Sequence, residues 1–250
     1  MQKTMTARIA DAFGKVEKKL PGNVAFRALS VGDRLPAATT LRTGADAALL
    51  VELPDKHVVR VGANTTVVLN QIGADKQFAL KVLSGQVWAL VKKASHPTKF
   101  TVETSSGVAG VTGTLFGVGV DEETDEMVVS TAEGSVEVQS FDETGRALAA
   151  PVPVRQGMML RAARKRALQA AHPQALQHKN MWRALYREGA WGQQNASGPL
   201  HLNRGREKEL MHSLRMRALK PPKPLGNSRR PLQNLKSPAM GENIRRPGGR

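Results

Sequence analysis

The sequence predicts an all-β domain, folded as a sandwich or a roll, with a basic extension behind it. Short apolar runs rich in valine alternate with turn residues over residues 7–163, and no helical periodicity of useful length occurs before Leu160. The strand–helix alternation of a parallel doubly wound sheet is missing. Aromatic residues make up only 4% of the 250 residues, so the core must be built mainly from aliphatic side chains.

The predicted strands follow one another closely along this region. Residues 49–62 predict two strands joined by a tight turn at Pro54, Asp55 and Lys56. Ser84 and Gly85 are interpreted as a turn between two further strands, and Trp88 as a core anchor. Strands are predicted wherever β-branched and apolar residues recur between turn residues, at 67–69, 78–83, 86–91, 100–104, 115–120, 127–130, 135–138 and 158–162.

Charge divides the chain into a neutral part and a basic part. Residues 1–160 carry 17 Lys and Arg against 17 Asp and Glu, whereas residues 161–250 carry 20 against 4. The net charge of +16 therefore lies in the C-terminal third, as expected of a globular domain joined to a basic appendage. We predict a β domain at 7–163, a basic helical extension at 164–220 and a disordered tail rich in Pro and Arg at 221–250.

One or two short helices are expected in the extension. Residues 173–187 start with a proline and end before Gly189, and their larger apolar side chains tend toward one helical face: Leu176, Trp182, Leu185 and Tyr186. Residues 207–220 are the second candidate, with apolar residues four apart. The remainder has too few bulky apolar residues to offset the entropy of ordering.

No arrangement of residues points to catalysis, a cofactor or a metal. The chain has no cysteine, which excludes disulfides and thiolate metal sites. Gly117 and Gly119 form a Gly-x-Gly, but Glu122 stands where a dinucleotide fingerprint requires glycine. The acidic run 121–126 lacks the glycine and distal glutamate of an EF-hand loop, so we interpret it as a solvated hairpin turn. The six histidines are scattered. We therefore expect a non-enzymatic protein.

Membrane insertion is not expected from this sequence. No run approaches the roughly 18 apolar residues that a spanning helix needs. The first eight residues lack the apolar core of a secretory leader. Either the protein is cytoplasmic, or a leader is absent from the sequence given.

Three segments, taken together and in order, resemble the FecR domain. The first contains Val31-Gly-Asp-Arg-Leu35 and continues through residues 41–65. The second is Leu83-Ser-Gly-Gln-Val-Trp88. The third joins Phe100-Thr-Val-Glu-Thr104 to Val108-Ala-Gly-Val-Thr-Gly-Thr-Leu-Phe116, its most specific element, and ends in Glu133-Gly-Ser-Val-Glu-Val138. The similarity covers about residues 7–163.

The resemblance implies a rolled β-sandwich or jelly-roll-like fold that senses or contacts other proteins across the cell envelope. It also implies a periplasmic or otherwise extracytoplasmic location and a partner that is another envelope protein or envelope component, with no small-molecule substrate. Family regulators place an anti-sigma segment and a membrane helix before the domain, and this sequence shows neither; direct sigma-factor control therefore does not follow from the resemblance. Lys56 replaces the glycine of the family's Pro-Asp-Gly turn, which indicates a turn without positive φ at that position.

A second function stays open, with the β domain as a scaffold and the basic tail as a binding segment. The tail could neutralise nucleic-acid phosphates or anionic lipid head groups. Trp182, Tyr186 and Trp191 could stack on bases, although their packing on the β domain is the favoured reading. The candidate polyanion contacts are Arg164, Lys165, Arg166, Arg229, Arg230, Arg245 and Arg246.

Overall fold

The computed structural model describes residues 5–93, 98–121 and 123–174, and in them the chain forms strands and no α-helix. The predicted all-β class is therefore confirmed. No helix in these ranges is long and apolar enough to cross a membrane. The strands are β1 (Ala7–Phe13), β2 (Val16–Lys19), β3 (Arg27–Ala28), β4 (Arg34–Leu35), β5 (Thr39–Thr43), β6 (Ala48–Glu52), β7 (Val58–Val61), β8 (Thr66–Ile72), β9 (Gln77–Leu90), β10 (Lys99–Glu103), β11 (Val108–Val111), β12 (Leu115–Val120), β13 (Met127–Glu133), β14 (Ser135–Gln139), β15 (Val152–Arg155), β16 (Met158–Ala162) and β17 (His172–Pro173).

These strands form two sheets that share the long strand β9. Sheet A has the order β4-β1-β6-β7-β9-β12-β13-β16-β17. Sheet B has the order β3-β2-β5-β8-β9-β10-β11-β14-β15. Among the described strands, only β9 and β10 pair in parallel. Beyond the first four strands, the order in both sheets follows the order along the chain.

Strand β9 passes from one sheet to the other at Gly85. Its first part pairs with β8 in sheet B, and its second part pairs with β7 and β12 in sheet A. Gly85 has φ +77°, and a Cβ there would lie 2.3 Å from Thr65 Oγ1. The predicted positive φ is confirmed, but the prediction of two strands joined by a turn is wrong. The glycine bends one continuous strand because it alone tolerates both this φ and this close approach.

The main hydrophobic core lies between the two sheets. Alternate residues of each strand point into it, such as Leu49 and Val51 of β6 from sheet A and Val136 and Val138 of β14 from sheet B. The interior is aliphatic, as the composition predicts, apart from a small group of rings. Phe100 stacks near Phe78 with centroids 6.0 Å apart and meets Phe116 edge-on at 6.3 Å.

Sheet A is also apolar on its outer face. A second hydrophobic cluster there has Trp88 at its centre, which confirms that this residue is a buried anchor. Trp88 lies against Gly117 of β12, where an added Cβ would come within 2.8 Å of Trp88 Cδ1. The guanidinium of Arg60 lies over the ring at 4.9 Å from its centroid. The other buried members are Ala10, Ala48, Leu50, Val58 and Leu115.

The turn between β6 and β7 differs from its prediction. The hairpin is present, but Asp55 and Lys56 have φ values of 60° and 59°. Lys56 thus adopts the left-handed conformation that the sequence was expected to avoid. The turn is closed by hydrogen bonds from the His57 N–H to the Pro54 carbonyl and from the Leu53 N–H to the His57 carbonyl. These bonds hold a conformation that costs a non-glycine residue about 1–2 kcal/mol.

Strands at both ends of the domain are not predicted by the sequence pattern. Strands β1 to β5 contain many charged and hydroxyl residues, and in β2 only Val16 is buried. At the other end, Pro173 was expected to begin a helix, but it belongs to β17 and pairs with Met158. Gln174 then donates hydrogen bonds to the carbonyls of Thr131 and Met158. The rest of the predicted helices and the tail lie outside the described residues.

Candidate interaction surface

The outer face of sheet B is polar. Strand alternation directs most apolar residues of β9, β10 and β14 inward and leaves Lys81, Thr101, Glu103 and Glu137 on the outside, together with the half-exposed Leu83. Strands β9 and β10 are neighbours in the sheet and β11 joins β10 to β14, so the four side chains share one surface. A sheet face of this kind keeps its hydrogen-bonding groups available to solvent or to a partner.

An ion pair organises the N-terminal end of this face. Glu17 of β2 and Arg42 of β5 are opposite each other in the register, with Arg42 Nη2 2.7 Å from Glu17 Oε2. The hydrogen bond from Arg42 lowers the pKa of Glu17. Phe26 lies beneath the pair, with its ring centroid 4.0 Å from the guanidinium carbon of Arg42. The aromatic ring and the carboxylate together orient the guanidinium.

A groove of about 440 Å³ opens at the C-terminal end of the same face. It is lined by the β10–β11 turn, by residues 141–143 after β14 and by residues 164–165 after β16. The charges in its lining balance, with three basic and three acidic side chains: Lys81, Arg164, Lys165, Glu103, Asp142 and Glu143. A groove with equal numbers of both signs suits a mixed-charge protein surface better than a polyanion.

Hydrogen bonds fix one wall of the groove. The β10–β11 turn closes through the Thr104 N–H and the Gly107 carbonyl at 2.9 Å. Ser106 Oγ donates to the Asp125 carbonyl at 2.6 Å, and Ser105 Oγ donates to Asp125 Oδ1 at 2.9 Å. Asp125 belongs to the β12–β13 turn, so these contacts tie a hairpin of sheet B to a hairpin of sheet A.

The opposite wall is also held by its own polar contacts. Asp142 Oδ1 accepts hydrogen bonds from Thr144 Oγ1 at 2.7 Å and from the Arg146 N–H at 3.0 Å. These bonds, with that from Thr144 the largest, lower the pKa of Asp142. Lys165, with φ +59°, forms an ion pair with Glu143. The side chains in the groove are therefore placed by short-range bonding rather than by burial.

The predicted polyanion contacts are only partly brought together. Arg164 and Lys165 line the groove, and Arg166 is exposed beside it. Glu143 forms an ion pair with Lys165 and Asp142 lines the same groove, so both carboxylates reduce the positive potential there. The other four, Arg229, Arg230, Arg245 and Arg246, lie outside the described residues.

The acidic run 121–126 forms the turn between β12 and β13, as predicted. Asp121 Oδ1 accepts the N–H groups of Glu123 and Thr124, and Arg161 Nη1 lies 3.3 Å from a carboxylate oxygen of both Asp121 and Glu126. Burial would raise the pKa of Asp121, but these hydrogen bonds outweigh it and the pKa is lowered. Within the described part of the chain, no group of three His, Asp or Glu side chains is placed to hold a metal ion.

The buried His57 is a feature that the sequence did not reveal. The ring is fully buried and meets Phe78 and Phe100 edge-on at 4.7 and 5.8 Å. Nδ1 accepts the Lys92 N–H at 3.1 Å, whereas Nε2 has no hydrogen-bond partner among the residues described. Burial lowers the pKa of His57 against a smaller, opposite effect of Asp55. The feature of the sequence that could have indicated this burial is the position of His57 directly before Val58 and Val59, which are both buried.

A comparison with family models shows which known family this part of the chain resembles. Residues 39–137 match the model described as FecR protein. This part of the chain is similar to a FecR domain. The match runs from β5 into β14 of the fold, and it confirms the resemblance predicted from the three sequence segments. The groove and the outer face of sheet B include residues of this FecR domain on β9, β10, β11 and β14.

Two solved structures are similar to part of this chain. Two crystal structures, at 1.65 and 2.50 Å resolution, of a candidate anti-sigma factor from Parabacteroides distasonis ATCC 8503 are 19% identical to this chain, with a TM-score of 0.47. The similar region covers 57% of this chain and 63% of that protein, which is less than two thirds of its length. No curated protein matches the sequence.

Proposed function

We propose that this protein is a non-enzymatic sensing module of the cell envelope that binds another envelope protein or envelope component through the outer face of sheet B. The observation that carries the proposal is the polar, mixed-charge face of a FecR domain, ending in a groove whose charges balance. Such a face recognises a partner through complementary charges and hydrogen bonds, and it needs no reacting group.

The chemistry of the groove supports a binding role over a catalytic one. Two of its hydroxyl side chains bond to Asp125: Ser105 donates to the carboxylate, and Ser106 donates to the backbone carbonyl. No histidine lines the groove, and His57, the fully buried histidine, lies in the core. A nucleophilic hydroxyl requires an adjacent base to accept its proton. Among the described residues of the groove, the base beside Ser105 is the carboxylate of Asp125, and no histidine accompanies it.

Site-specific photocrosslinking tests the interaction surface. A photoreactive amino acid is placed in the full chain at Lys81 or Glu137 on the outer face of sheet B, and at the 55%-exposed Val31 as a control for exposure. After irradiation in the native cells, we expect a defined protein adduct from the two sheet B positions and none from Val31. Absence of adducts at both sheet B positions, or the same adduct from Val31, contradicts the proposed surface.

Location is tested separately, because binding and compartment are independent claims. We infer an extracytoplasmic location from the FecR domain. Osmotic shock of native cells should release the full-length protein together with a periplasmic marker enzyme. Retention of the protein with a cytoplasmic marker would reject the envelope assignment while leaving the sheet B surface open to test.

Binding to a polyanion through the C-terminal region is the second candidate, and the observation that favours it is the placement of the whole net charge of +16 after residue 160. Each phosphate contact releases counterions, so affinity should fall steeply with salt, by a slope of about 0.9 per contact on logarithmic axes. A tail that neutralises phosphates would explain this basic charge, and the β domain would then serve as its scaffold.

Fluorescence anisotropy with a duplex DNA oligonucleotide at several salt concentrations tests this second candidate. The variant has four substitutions in the full chain: Arg229→Gln, Arg230→Gln, Arg245→Gln and Arg246→Gln. Its slope should be smaller by about 3 to 4 if all four contact phosphates. A matched control changes four exposed arginines of the β domain: Arg27→Gln, Arg34→Gln, Arg146→Gln and Arg155→Gln. Equal slopes for both variants reject the tail as the binding segment.

A further inference from the structure

The loop between β2 and β3 presents apolar side chains to solvent. Residues 20–25 are all exposed, and none of them is charged. Val24 is 96% exposed and Leu20 is 36% exposed, and Pro21 and Ala25 add two smaller apolar side chains. Single exposed apolar residues are normal on a protein surface, whereas several in one place mark an interaction site. The loop is therefore a candidate contact surface.

The first half of this loop is a built turn. The Asn23 N–H donates to the Leu20 carbonyl at 3.0 Å. Pro21 and Gly22 stand between them, and Gly22 has φ +78°, the residues and the conformation of a type II turn. An added Cβ at Gly22 would have no atom within 4 Å, so the turn projects into open space. A preformed tip loses little conformational freedom when it binds.

The base of the loop is fastened to sheet B. The Phe26 ring centroid lies 4.0 Å from the guanidinium carbon of Arg42 and 5.4 Å from Lys19 Nζ. Lys19 is also the last residue of β2 that pairs with β5, opposite Thr40. The exposed residues 20–25 therefore begin where this pairing ends, and they form a convex tip on a fixed base.

The charge around the tip is positive. Residues 18–32 include Lys18, Lys19 and Arg27 but no acidic residue. Lys18 forms an ion pair with Asp33, whereas Lys19 and Arg27 have no carboxylate partner among the residues that the structure describes. Arg27 lies opposite Lys18 in the register of β2 and β3, and Lys19 lies on the other face of the hairpin by strand alternation. Unneutralised positive charge therefore flanks both faces of the apolar tip.

We propose that the β2–β3 loop binds a membrane surface that contains anionic lipids. Leu20 and Val24 enter the boundary between head groups and acyl chains, where their apolar surface leaves water. Lys19 and Arg27 contact the lipid phosphates, while their aliphatic stems lie along the apolar region. A convex apolar tip between two cations is complementary to a bilayer, in which apolar chains lie beneath a layer of negative charge.

This lipid-binding loop is separate from the partner surface proposed on sheet B. In the order of strands, β2 and β3 lie on one side of β9, whereas β10, β11 and β14 beside the groove lie on the other side. The two sites can therefore be occupied together. The inference does not rest on the proposed function, and the photocrosslinking positions Lys81 and Glu137 lie outside the loop.

A dye attached at the tip measures its insertion directly. The chain has no cysteine, so Val24→Cys in the full chain gives a single site for nitrobenzoxadiazole. With vesicles of phosphatidylethanolamine and phosphatidylglycerol, we expect the emission to shift to shorter wavelength and to rise at least about twofold, because the dye leaves water. Vesicles of phosphatidylcholine alone should give a much smaller rise, because they lack the net negative charge.

Leu148→Cys is the matched control for the dye, since Leu148 is 36% exposed like Leu20 but lies between β14 and β15. Its emission should stay unchanged even where the basic C-terminal region brings the protein to the vesicle. Equal responses at residues 24 and 148 overturn the proposal. So does an unchanged emission at residue 24 while the protein sediments with the vesicles, because lipid binding then belongs to another part of the chain.

Cosedimentation of unlabelled variants tests the apolar contribution. Leu20→Ser should weaken binding to the phosphatidylglycerol vesicles at least about tenfold, because each CH₂ group withdrawn from the apolar phase costs about fourfold in affinity. Leu148→Ser, the same change at an equally exposed leucine, should alter the affinity less than about twofold. Equal affinities of the two variants contradict insertion of the loop, provided that circular dichroism shows the same β signal for both.

The same assay tests the two cations. Lys19→Gln combined with Arg27→Gln should weaken binding to the phosphatidylglycerol vesicles by at least about tenfold, since each basic side chain at an anionic surface contributes about fivefold. Arg146→Gln combined with Arg155→Gln removes the same charge from exposed positions outside the loop and should have a smaller effect. Equal losses would mean that only the net charge of the protein matters, which rejects a lipid site at this loop.

Discussion

Two glycines of strand β12 show how a single missing side chain shapes the outer face of sheet A. Gly117 and Gly119 lie on the same face of the strand, but only Gly117 is in contact with Trp88. An added Cβ at Gly117 would be 2.8 Å from Trp88 Cδ1, closer than such atoms approach, whereas at Gly119 the nearest atom is 3.4 Å away. The indole can lie flat because residue 117 has no side chain.

This difference gives a matched pair of substitutions. Gly117→Ala should lower the free energy of unfolding by about 1–3 kcal/mol, because the tightly buried indole must shift to admit a methyl group. Gly119→Ala should be neutral or stabilise the protein by up to about 1 kcal/mol, because it restricts the unfolded chain without a clash. Urea denaturation measures both. A larger loss from Gly119→Ala would show that the indole is not packed on Gly117.

The buried His57 makes stability depend on pH. Its pKa is lowered in the fold from the ordinary 6.5, so between these two values the unfolded chain binds a proton that the folded chain does not. The free energy of unfolding should be unaffected by this group above pH 7 and fall as pH drops below about 6.5, by at most about 1.4 kcal/mol per pH unit. The carboxylate of Asp33, whose pKa is lowered by the hydrogen bond from Lys18, responds only near pH 4 and below.

His57→Asn tests the origin of that dependence. Asparagine can accept the Lys92 N–H but does not titrate. Urea denaturation of the variant between pH 7.5 and 5 should lack the decline seen in the native sequence, even if its overall stability is lower. An identical decline in both proteins would assign the effect to other groups.

Among the elements, β9 has the greatest structural consequence because it joins the two sheets. Gly85 makes the crossing possible, since a Cβ would meet Thr65 Oγ1 at 2.3 Å and the Asn64 carbonyl oxygen at 2.6 Å, in a backbone with φ +77°. Thr65 is itself tied to Gln86, whose N–H donates to Thr65 Oγ1 at 3.0 Å. The bend therefore cannot relax by moving one side chain.

Gly85→Ala should therefore destabilise the protein more than an alanine substitution at a glycine that has a positive φ but open space around it. Gly22, with φ +78° and no atom within 4 Å of an added Cβ, is the matched control. We expect Gly22→Ala to cost about 1–2 kcal/mol and Gly85→Ala to cost at least about 2 kcal/mol more, because a backbone clash adds to the strained φ. Thermal denaturation compares the two. Equal losses would mean that β9 bends without a close approach at Gly85.

The elements also show what sequence patterns can and cannot predict. The strands of the β6–β7 hairpin were predictable because their valines and leucines recur between turn residues. Strands β1 to β5 were not, because their pairing depends on neighbours far along the chain, as β1 with β6. The sequence predicts a turn at Gly85, where the strand in fact crosses between the sheets. The two cannot be told apart from the sequence because a glycine with a positive φ occurs both in turns and in bent strands. The sequence does not predict the left-handed conformation of Lys56, because its residue type does not favour it. The hydrogen bonds that close the turn, accepted by the carbonyls of Pro54 and His57, hold this conformation.

At the scale of the whole molecule, the order of the strands sets the expected gradient of stability. Strands β7, β9 and β12 have neighbours on both sides near the centre of sheet A, whereas β3 and β4 at one end and β15 and β17 at the other are edge strands. Local opening costs least where few contacts are lost. The all-β class was predictable from composition and spacing, but this order was not, because it depends on which strands pair.

Hydrogen–deuterium exchange of the full chain, read by mass spectrometry, measures this gradient. Peptides from β9 and β12 should exchange slowest, and peptides from β3, β4 and β15 should exchange fastest. The expected ratio of rates is at least about tenfold, corresponding to about 1.4 kcal/mol of difference in local opening. Uniform exchange across all strands would indicate that the domain opens only as a single unit.

The candidate surface was predictable only in outline at this scale. A FecR domain that binds through a β surface was expected, but Arg164 and Lys165 were assigned to a basic tail, and their neighbours Asp142 and Glu143 were not foreseen. Charges from distant parts of the chain meet in the groove through folding. A count of charges along the sequence cannot show such neutralisation.

Because most strands pair with neighbours that precede them in the chain, the domain suits assembly in the direction of synthesis. When β7 emerges from the ribosome, its partner β6 is already available, and the same holds for β13 beside β12 and for β15 beside β14. The exceptions are the first two strands, since β1 must wait for β6 and β2 must wait for β5 before each gains its main partner. The nascent chain would therefore carry these strands incompletely paired for about twenty to forty residues, after which each new strand finds a partner that has already been made.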